Sequence, residues 1–216
     1  EGMYTFPDLK RIFERTESSH NVDKNGQLIV GASVGAGKHA YSRAERLAES
    51  NCDYFQIDTA HGDSKNVIDT IRGLKKKYPH IDILAGNVSS GDGAVRLARA
   101  GADGILVGRG PGSICTTRVV AGVGVPQASA VHECVRAVQR FRLPICADGG
   151  INNSGDIVIA LALGASSVML GRLLAGTEES PGETRLIRGA QMKVYRGMGS
   201  YGAMRDSAAS RERYGQ

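Results

Sequence analysis

The chain has 216 residues, 41% of them hydrophobic and 23% charged, which fits one soluble globular domain with a real core and sets aside disordered and fibrous classes. Aromatic residues make up only 5%, tryptophan is absent and glycine reaches 29, a balance suited to strand-loop-helix corners and poor in the stacking platforms that single-stranded nucleic acid requires. The formal charge of +5 fits an anionic, phosphate-bearing substrate and fits a merely basic surface equally well.

Residues 1–26 read as a lead-in, with a short helix from Pro7 to Arg15 and turn chemistry at residues 16–20 and 23–26. A repeating unit follows. Gln27-Leu28-Ile29-Val30 is a strand closing on Gly31, residues 41–50 a helix, and Tyr54-Phe55-Gln56-Ile57 a strand ending at Asp58. A helix over residues 66–78 places Val67, Ile68, Ile71, Leu74 and Tyr78 on one stripe and stops at Pro79. Residues 81–85 form a strand ending at Gly86-Asn87, residues 92–100 a helix that Gly101 closes, and Ile105-Leu106-Val107 a strand ending at Gly108. A helix over residues 129–141 precedes the strand Ile145-Cys146-Ala147, which ends at Asp148-Gly149-Gly150. Residues 155–163 are a helix closed by Gly164, and residues 167–170 a strand ending at Gly171. The apolar stretch over residues 157–176 is interrupted by Gly164, Ser166, Ser167, Gly171 and Arg172, so it reads as helix, turn and strand and not as a membrane span.

About six β-α units imply an α/β fold with a parallel sheet, either doubly wound or a closed (β/α)8 TIM barrel. Every strand end carries glycine or a polar residue, as expected where all loops converge on one face, whereas a doubly wound sheet concentrates them at one switch point. A barrel is therefore expected, with six of its eight units visible.

The stretch Gly108-Arg109-Gly110-Pro111-Gly112-Ser113-Ile114-Cys115-Thr116-Thr117-Arg118 is too rich in glycine to be packing material. It places Cys115 just beyond a strand's carboxyl end, with two hydroxyls and a cation next to a thiol that must ionise to attack. The other cysteines, Cys52, Cys134 and Cys146, read as core, and the four form no C-x-x-C pair, so neither zinc nor a disulfide framework is indicated. A reducing compartment, the cytoplasm or another intracellular one, is the expected location. Asp148-Gly149-Gly150 and Gly171-Arg172 end the last two strands, where barrels hold phosphate on backbone N–H groups, although two plain glycine turns would look the same. Residues 195–204 are a further glycine loop, expected to be mobile, in which Arg196 and Ser200 can hydrogen-bond a ligand. Asp58-Thr59-Ala60-His61-Gly62 offers a carboxylate to a ribose diol or, equally, caps a helix. His132 reads as an ordinary helical residue, and Glu178, Glu179 and Glu183 as a loop rather than a metal cluster.

Together these residues resemble the inosine 5′-monophosphate dehydrogenase and guanosine 5′-monophosphate reductase superfamily, from about Leu28 to Tyr214, with the cysteine loop, Asp148-Gly149-Gly150, residues 176–183 and residues 195–200 in family order. The resemblance implies a (β/α)8 barrel and a homotetramer in which Cys115 attacks C2 of a purine nucleoside monophosphate. In the dehydrogenase a hydride then passes to NAD and water hydrolyses the thioimidate; in the reductase ammonia leaves GMP and NADPH supplies the hydride. By the same resemblance Ser113, Asp148, Gly149, Gly150, Gly171, Arg172, Tyr195, Gly197, Met198 and Gly199 hold the nucleotide. Asp58, Thr59, Ala60, Gly108, Arg109 and Gly110 lie along the cofactor, and Gly110, Gly112 and Cys115 offer carbonyls to a monovalent cation, K+. Thr117 assists proton transfer.

Asp58-Thr59-Ala60-His61-Gly62 and residues 121–127 and 196–200 look like the dehydrogenase, whereas residues 128–131, followed by Glu133-Cys134, look more like the reductase. Arg109 stands where the family carries a small or apolar residue; it suits a 2′-phosphate or simply faces outward. Residues 27–204 are then the catalytic barrel portion and residues 1–26 a lead-in that can be the end of a regulatory insert. Residues 205–216 are a polar flexible segment leading to a flap that lies outside the sequence, with the hydrolytic step's water-activating residues. The leading expectation is IMP oxidation, with GMP reduction as the alternative and a non-catalytic nucleotide or nucleic-acid binder as a third reading.

Overall fold

The structure, a computed structural model, describes residues 21–206. The helix expected at residues 7–15, the turn at 16–20 and most of the segment 205–216 lie outside the described residues.

Six parallel strands form one sheet in sequential order: β1 (Gly31–Val34), β2 (Tyr54–Asp58), β3 (Asp82–Val88), β4 (Gly104–Val107), β5 (Ile145–Asp148) and β6 (Ser167–Met169). The helices between them are α1 (Lys38–Glu49), α2 (Lys65–Lys77), α3 (Gly91–Ala100), the single turn α4 (Thr117–Val120), α5 (Gln127–Val138) and α6 (Ser154–Ala162). A doubly wound sheet reverses its strand order partway; this one never does, so it is an arc of β-α units of TIM-barrel type with every strand's carboxyl end at one rim.

Local chemistry sets the boundaries. Ser64 and Ser90 each cap the helix that follows by accepting a backbone N–H, Asn153 and Asp156 form a reciprocal capping box, and Gly101 closes α3 at φ 104°. The outer face of the sheet is the core: Phe55, Ile57, Ile83, Ala85, Ile105 and Ile145 are fully buried against Val67, Ile71 and Leu74 of α2, Leu97 of α3, and Val131 and Cys134 of α5. One residue out of step, Leu106 and Cys146 are buried on the concave face.

Three expectations are corrected. Residues 27–30 do not form the first strand. Val22 bridges Leu28 around a turn closed on Asp23, Asp53 grips Val30 through its carboxylate and its backbone N–H, and β1 begins at Gly31, whose missing side chain leaves room for the Tyr54 ring. Beyond β6 a short turn α7 (Arg172–Ala175) leads to an antiparallel hairpin, β7 (Thr184–Ile187) and β8 (Ala190–Lys193), which the sequence reading does not anticipate. Tyr201 to Asp206, expected as the end of a glycine loop and the start of a polar flexible segment, form the helix α8, started by Ser200, whose hydroxyl accepts the Ala203 N–H. Among the described residues no helix is long and apolar enough to cross a membrane.

Candidate functional site

Asn87, at the end of β3, ties four strand ends together. Its side-chain Nδ2 donates to the Gly108 carbonyl at 3.0 Å and to the Asp148 carboxylate at 2.6 Å. Its backbone N–H donates to the Thr59 carbonyl, and its own carbonyl accepts the Gly62 N–H. From the start of α5, Gln127 Nε2 donates to the carbonyls of Val107 and Asp148. Gly108 is required here, because at φ 146° a Cβ would stand 2.0 Å from the Asp148 carbonyl oxygen. Burial pushes the Asp148 carboxyl up to about 6; the Asn87 hydrogen bond opposes that and the Asp58 charge adds to it. Sequence reading missed Asn87, although a lone amide at the end of an apolar strand is a signal.

The cysteine loop starts from this plate. Cys115 is exposed, its N–H donates to the Gly112 carbonyl at 3.0 Å, and its thiol donates to Thr117 Oγ1 at 3.3 Å. Arg118, expected to lend its charge to the thiol, does something else. Its Nε and Nη2 donate to the carbonyls of Arg109 and Val125, and its stem fills the space beside Gly110 and Gly124, where a Cβ would lie 2.6 and 2.7 Å from it. The side chain closes the loop on itself.

A cavity of about 540 Å³ opens beside the loop, and the site residues expected from sequence line it, with the exception of Arg196. Gly108, Arg109, Gly110, Gly112, Ser113, Cys115 and Thr117 form one side; Asp58, Thr59 and Ala60 lie at the end of β2. Asp148, Gly149, Gly150, Gly171 and Arg172 face them, and Tyr195, Gly197, Met198 and Gly199 complete the wall. Gly149 and Gly150, at φ 87° and 81°, press against Pro111, so their main chain is exposed where side chains would fill the space. The Tyr195 hydroxyl abuts Gly171, and burial followed by the Asp148 charge raises its pKa. The Thr59 hydroxyl is spent on the Gly86 carbonyl. Ser200 lines the cavity, whereas Arg196, expected as a ligand donor, pairs with Asp206.

Of the cysteines read as core, Cys134 and Cys146 are buried, whereas Cys52 is not. Burial pushes the Cys134 thiol up to about 12 and raises that of Cys146, and Cys52 is half-buried with its thiol on the Tyr54 carbonyl. Glu178, Glu179 and Glu183 are exposed, and among the described residues no group of three His, Cys, Asp or Glu side chains could hold a metal. A second hollow, about 800 Å³, lies at the other end of the strands between residues 23–32 and 47–53, remote from Cys115. Of the carbonyls of Gly110, Gly112 and Cys115, expected to hold a monovalent cation, that of Gly112 accepts the Cys115 N–H.

A family model described as the IMP dehydrogenase / GMP reductase domain matches residues 9–216. The chain is 56% identical over its full length to the inosine-5′-monophosphate dehydrogenase of Aquifex aeolicus, covering 44% of that protein. It is 50% identical to the enzyme of the same name from Staphylococcus saprophyticus, covering 43%. Among solved structures it is similar to a Cys-to-Ala variant of GMP reductase from Trypanosoma brucei in complex with guanosine 5′-monophosphate, with a TM-score of 0.87 and 43% identity over 97% of this chain and 43% of that one. The chain thus spans less than half the length of these relatives.

Proposed function

The chain belongs to the IMP dehydrogenase / GMP reductase family, and on that premise we propose that it carries the nucleophile and nucleotide cradle for NAD-dependent oxidation of IMP to XMP. The observation that carries the reading is an exposed Cys115 thiol, 3.3 Å from the Thr117 hydroxyl, lining the same cavity as the Asp148-Gly149-Gly150 turn.

In this reading backbone N–H groups at Gly150, Gly171 and Arg172 hold the monophosphate, with Ser113 and the segment Tyr195, Gly197, Met198 and Gly199 around the rest of the nucleotide. Asp148 accepts hydrogen bonds from the ribose hydroxyls, which stabilise its ionised form. The Cys115 thiol gives up its proton through Thr117 to solvent, and the sulfur bonds to C2 of the base. Asp58, Thr59, Ala60, Gly108, Arg109 and Gly110 would hold a nicotinamide dinucleotide, which would supply the acceptor for the C2 hydrogen and its electron pair. Water then adds to C2 of the thioimidate, the C–S bond breaks, and XMP departs as the thiol is restored. K+ on the carbonyls of Gly110, Gly112 and Cys115 would stiffen the loop. The reading includes residues 27–204 as a catalytic barrel portion, a homotetramer and a reducing intracellular setting.

The test is turnover by the complete protein with IMP and NAD compared with GMP and NADPH. Turnover with the first pair is expected. Turnover only with the second assigns reductive deamination of GMP, the reading favoured by the structural likeness to a GMP reductase. Cys115→Ala is expected to abolish the covalent adduct, followed by intact-mass spectrometry, while purine monophosphate still binds; unchanged turnover removes the thiol from the mechanism.

A further inference from the structure

Arg109 follows β4 but turns back toward the ends of β2 and β3, away from the Gly150 and Gly171 side of the cavity. Its Nη2 contacts two neutral acceptors, His61 Nδ1 and the Asn87 carbonyl, the latter at 3.5 Å. A guanidinium N–H facing Nδ1 makes that nitrogen the acceptor and puts the ring proton on Nε2, so the imidazole offers no negative charge. The nearby carboxylate, Asp63, is already engaged by Arg96 through two hydrogen bonds, and among the described residues no ion pair joins Arg109 to a carboxylate. Its Nε is buried without a hydrogen-bond partner. Burial lowers the guanidinium's pKa, and the charge of Asp63, which makes its hydrogen bonds to Arg96, opposes that only in part. A partly desolvated arginine that lines a cavity and is hydrogen-bonded only to neutral acceptors suits an anion, and a phosphate accepts a guanidinium's N–H groups.

We propose that Arg109, steadied by His61 and the Asn87 carbonyl, is the phosphate-reading residue for the second ligand of this cavity, the dinucleotide. The inference rests on the reading above, which places the purine monophosphate's own phosphate on the opposite wall. Arg109 therefore meets a phosphate of the dinucleotide, either the diphosphate that NAD and NADP share or the 2′-phosphate that NADP alone carries.

The test is calorimetric titration of the complete protein with IMP, GMP, NAD+ and NADP+, for wild type, Arg109→Met and Arg109→Lys, at low and high salt. Arg109→Met is expected to weaken dinucleotide binding about 10- to 100-fold, the range for losing hydrogen bonds to a charged group. The lysine variant should lose less, the salt dependence should flatten, and IMP or GMP affinity should move less than about twofold, roughly the scale of a surface change. Equal loss for NAD+ and NADP+ assigns the diphosphate, and loss confined to NADP+ the 2′-phosphate. Unchanged dinucleotide affinity in Arg109→Met overturns the inference. Parallel loss of monophosphate and dinucleotide also overturns it, since that marks a loop support. A wild type that binds monophosphate but neither dinucleotide overturns this inference alone; one that binds no nucleotide overturns the proposed function with it.

Discussion

The two walls of the cavity are held in different ways. On the β3–β5 side, buried amides of Asn87 and Gln127 bridge strand ends, Gly108 lets backbones nearly touch, and Phe55, Ile105 and Ile145 lie fully buried beneath. On the other side the hairpin β7–β8 is exposed along almost its whole length, with Leu186 76% accessible. A lysine ammonium on three carbonyls, the Arg196–Asp206 pair and the contact of Tyr195 with Gly171 hold that segment. The wall carrying the nucleophile is therefore set by the fold itself, whereas the wall that completes the nucleotide cradle is a strap with little core of its own and a lower expected cost of local opening.

Cysteine labelling gives the largest contrast. Cys134 sits behind the first wall with its thiol pushed up to about 12 from 9.0, so its thiolate is about 10³-fold scarcer than an ordinary one, before any steric block is counted. Limiting maleimide at pH 8, with peptide mapping, should modify the exposed Cys115 and leave Cys134 untouched. Comparable rates would mean that the core side opens as readily as the strap. Next comes Gly108→Ala, which adds a Cβ 2.0 Å from a main-chain oxygen at a φ of 146°. A loss of about 3 kcal/mol or more in urea unfolding is expected, and a change under about 1 kcal/mol would show that the plate can shift.

The same contrast explains what was legible in sequence. Apolar runs of four or five residues ending in glycine or a polar group, such as Ile105-Leu106-Val107-Gly108, are local patterns, and so is the glycine density around Cys115; both lead directly to the arc and to the cavity rim. Helix α2 could be read from one stripe because burial imposes its period. The hairpin β7–β8 escaped because neither of its faces is buried, so no burial alternation marks it beyond Arg188-Gly189, which take positive φ at its turn. The start of β1 depends on the Tyr54 ring under Gly31 and on Asp53 holding Val30, contacts that no local window contains. Arg118 was misjudged for the same reason: adjacency to Cys115 in sequence suggested a role toward sulfur, while its actual partners lie nine and seven residues away.

Asp148 sharpens the comparison from the side of charge. With a folded-state value of about 6 against an ordinary 3.8, its neutral form is favoured by folding. The resulting stability is complete below about pH 4 and is lost as pH rises through 6, by at most about 3 kcal/mol. Urea midpoints between pH 4 and 7 should show this falling component, and Asp148→Asn should remove it. If nucleotide hydroxyls donate to Asp148, monophosphate binding near pH 6 should release more protons in the wild type than in Asp148→Asn, which calorimetry in two buffers of different ionisation heat detects; a smaller release in the wild type would place the ligand's acceptors there instead.

The smallest global effect is expected at Lys193, and it is the most specific to the strap. Its ammonium donates to the carbonyls of Thr177 at 2.7 Å, Glu178 at 3.2 Å and Ser180 at 2.6 Å, and two residues later Tyr195 reaches the cavity. Lys193→Met keeps the stem and removes all three donors. Because those carbonyls lie near the surface, water replaces much of the lost bonding, so overall stability should fall by about 1 kcal/mol or less. Amide exchange in β7 and β8 should nonetheless accelerate about tenfold, the rate equivalent of a local loss of that size, while amides of β3, β4 and β5 keep their protection. Equal acceleration in both sets would show that the strap and the central plate open as one unit, and the distinction between the two walls would then be one of exposure alone.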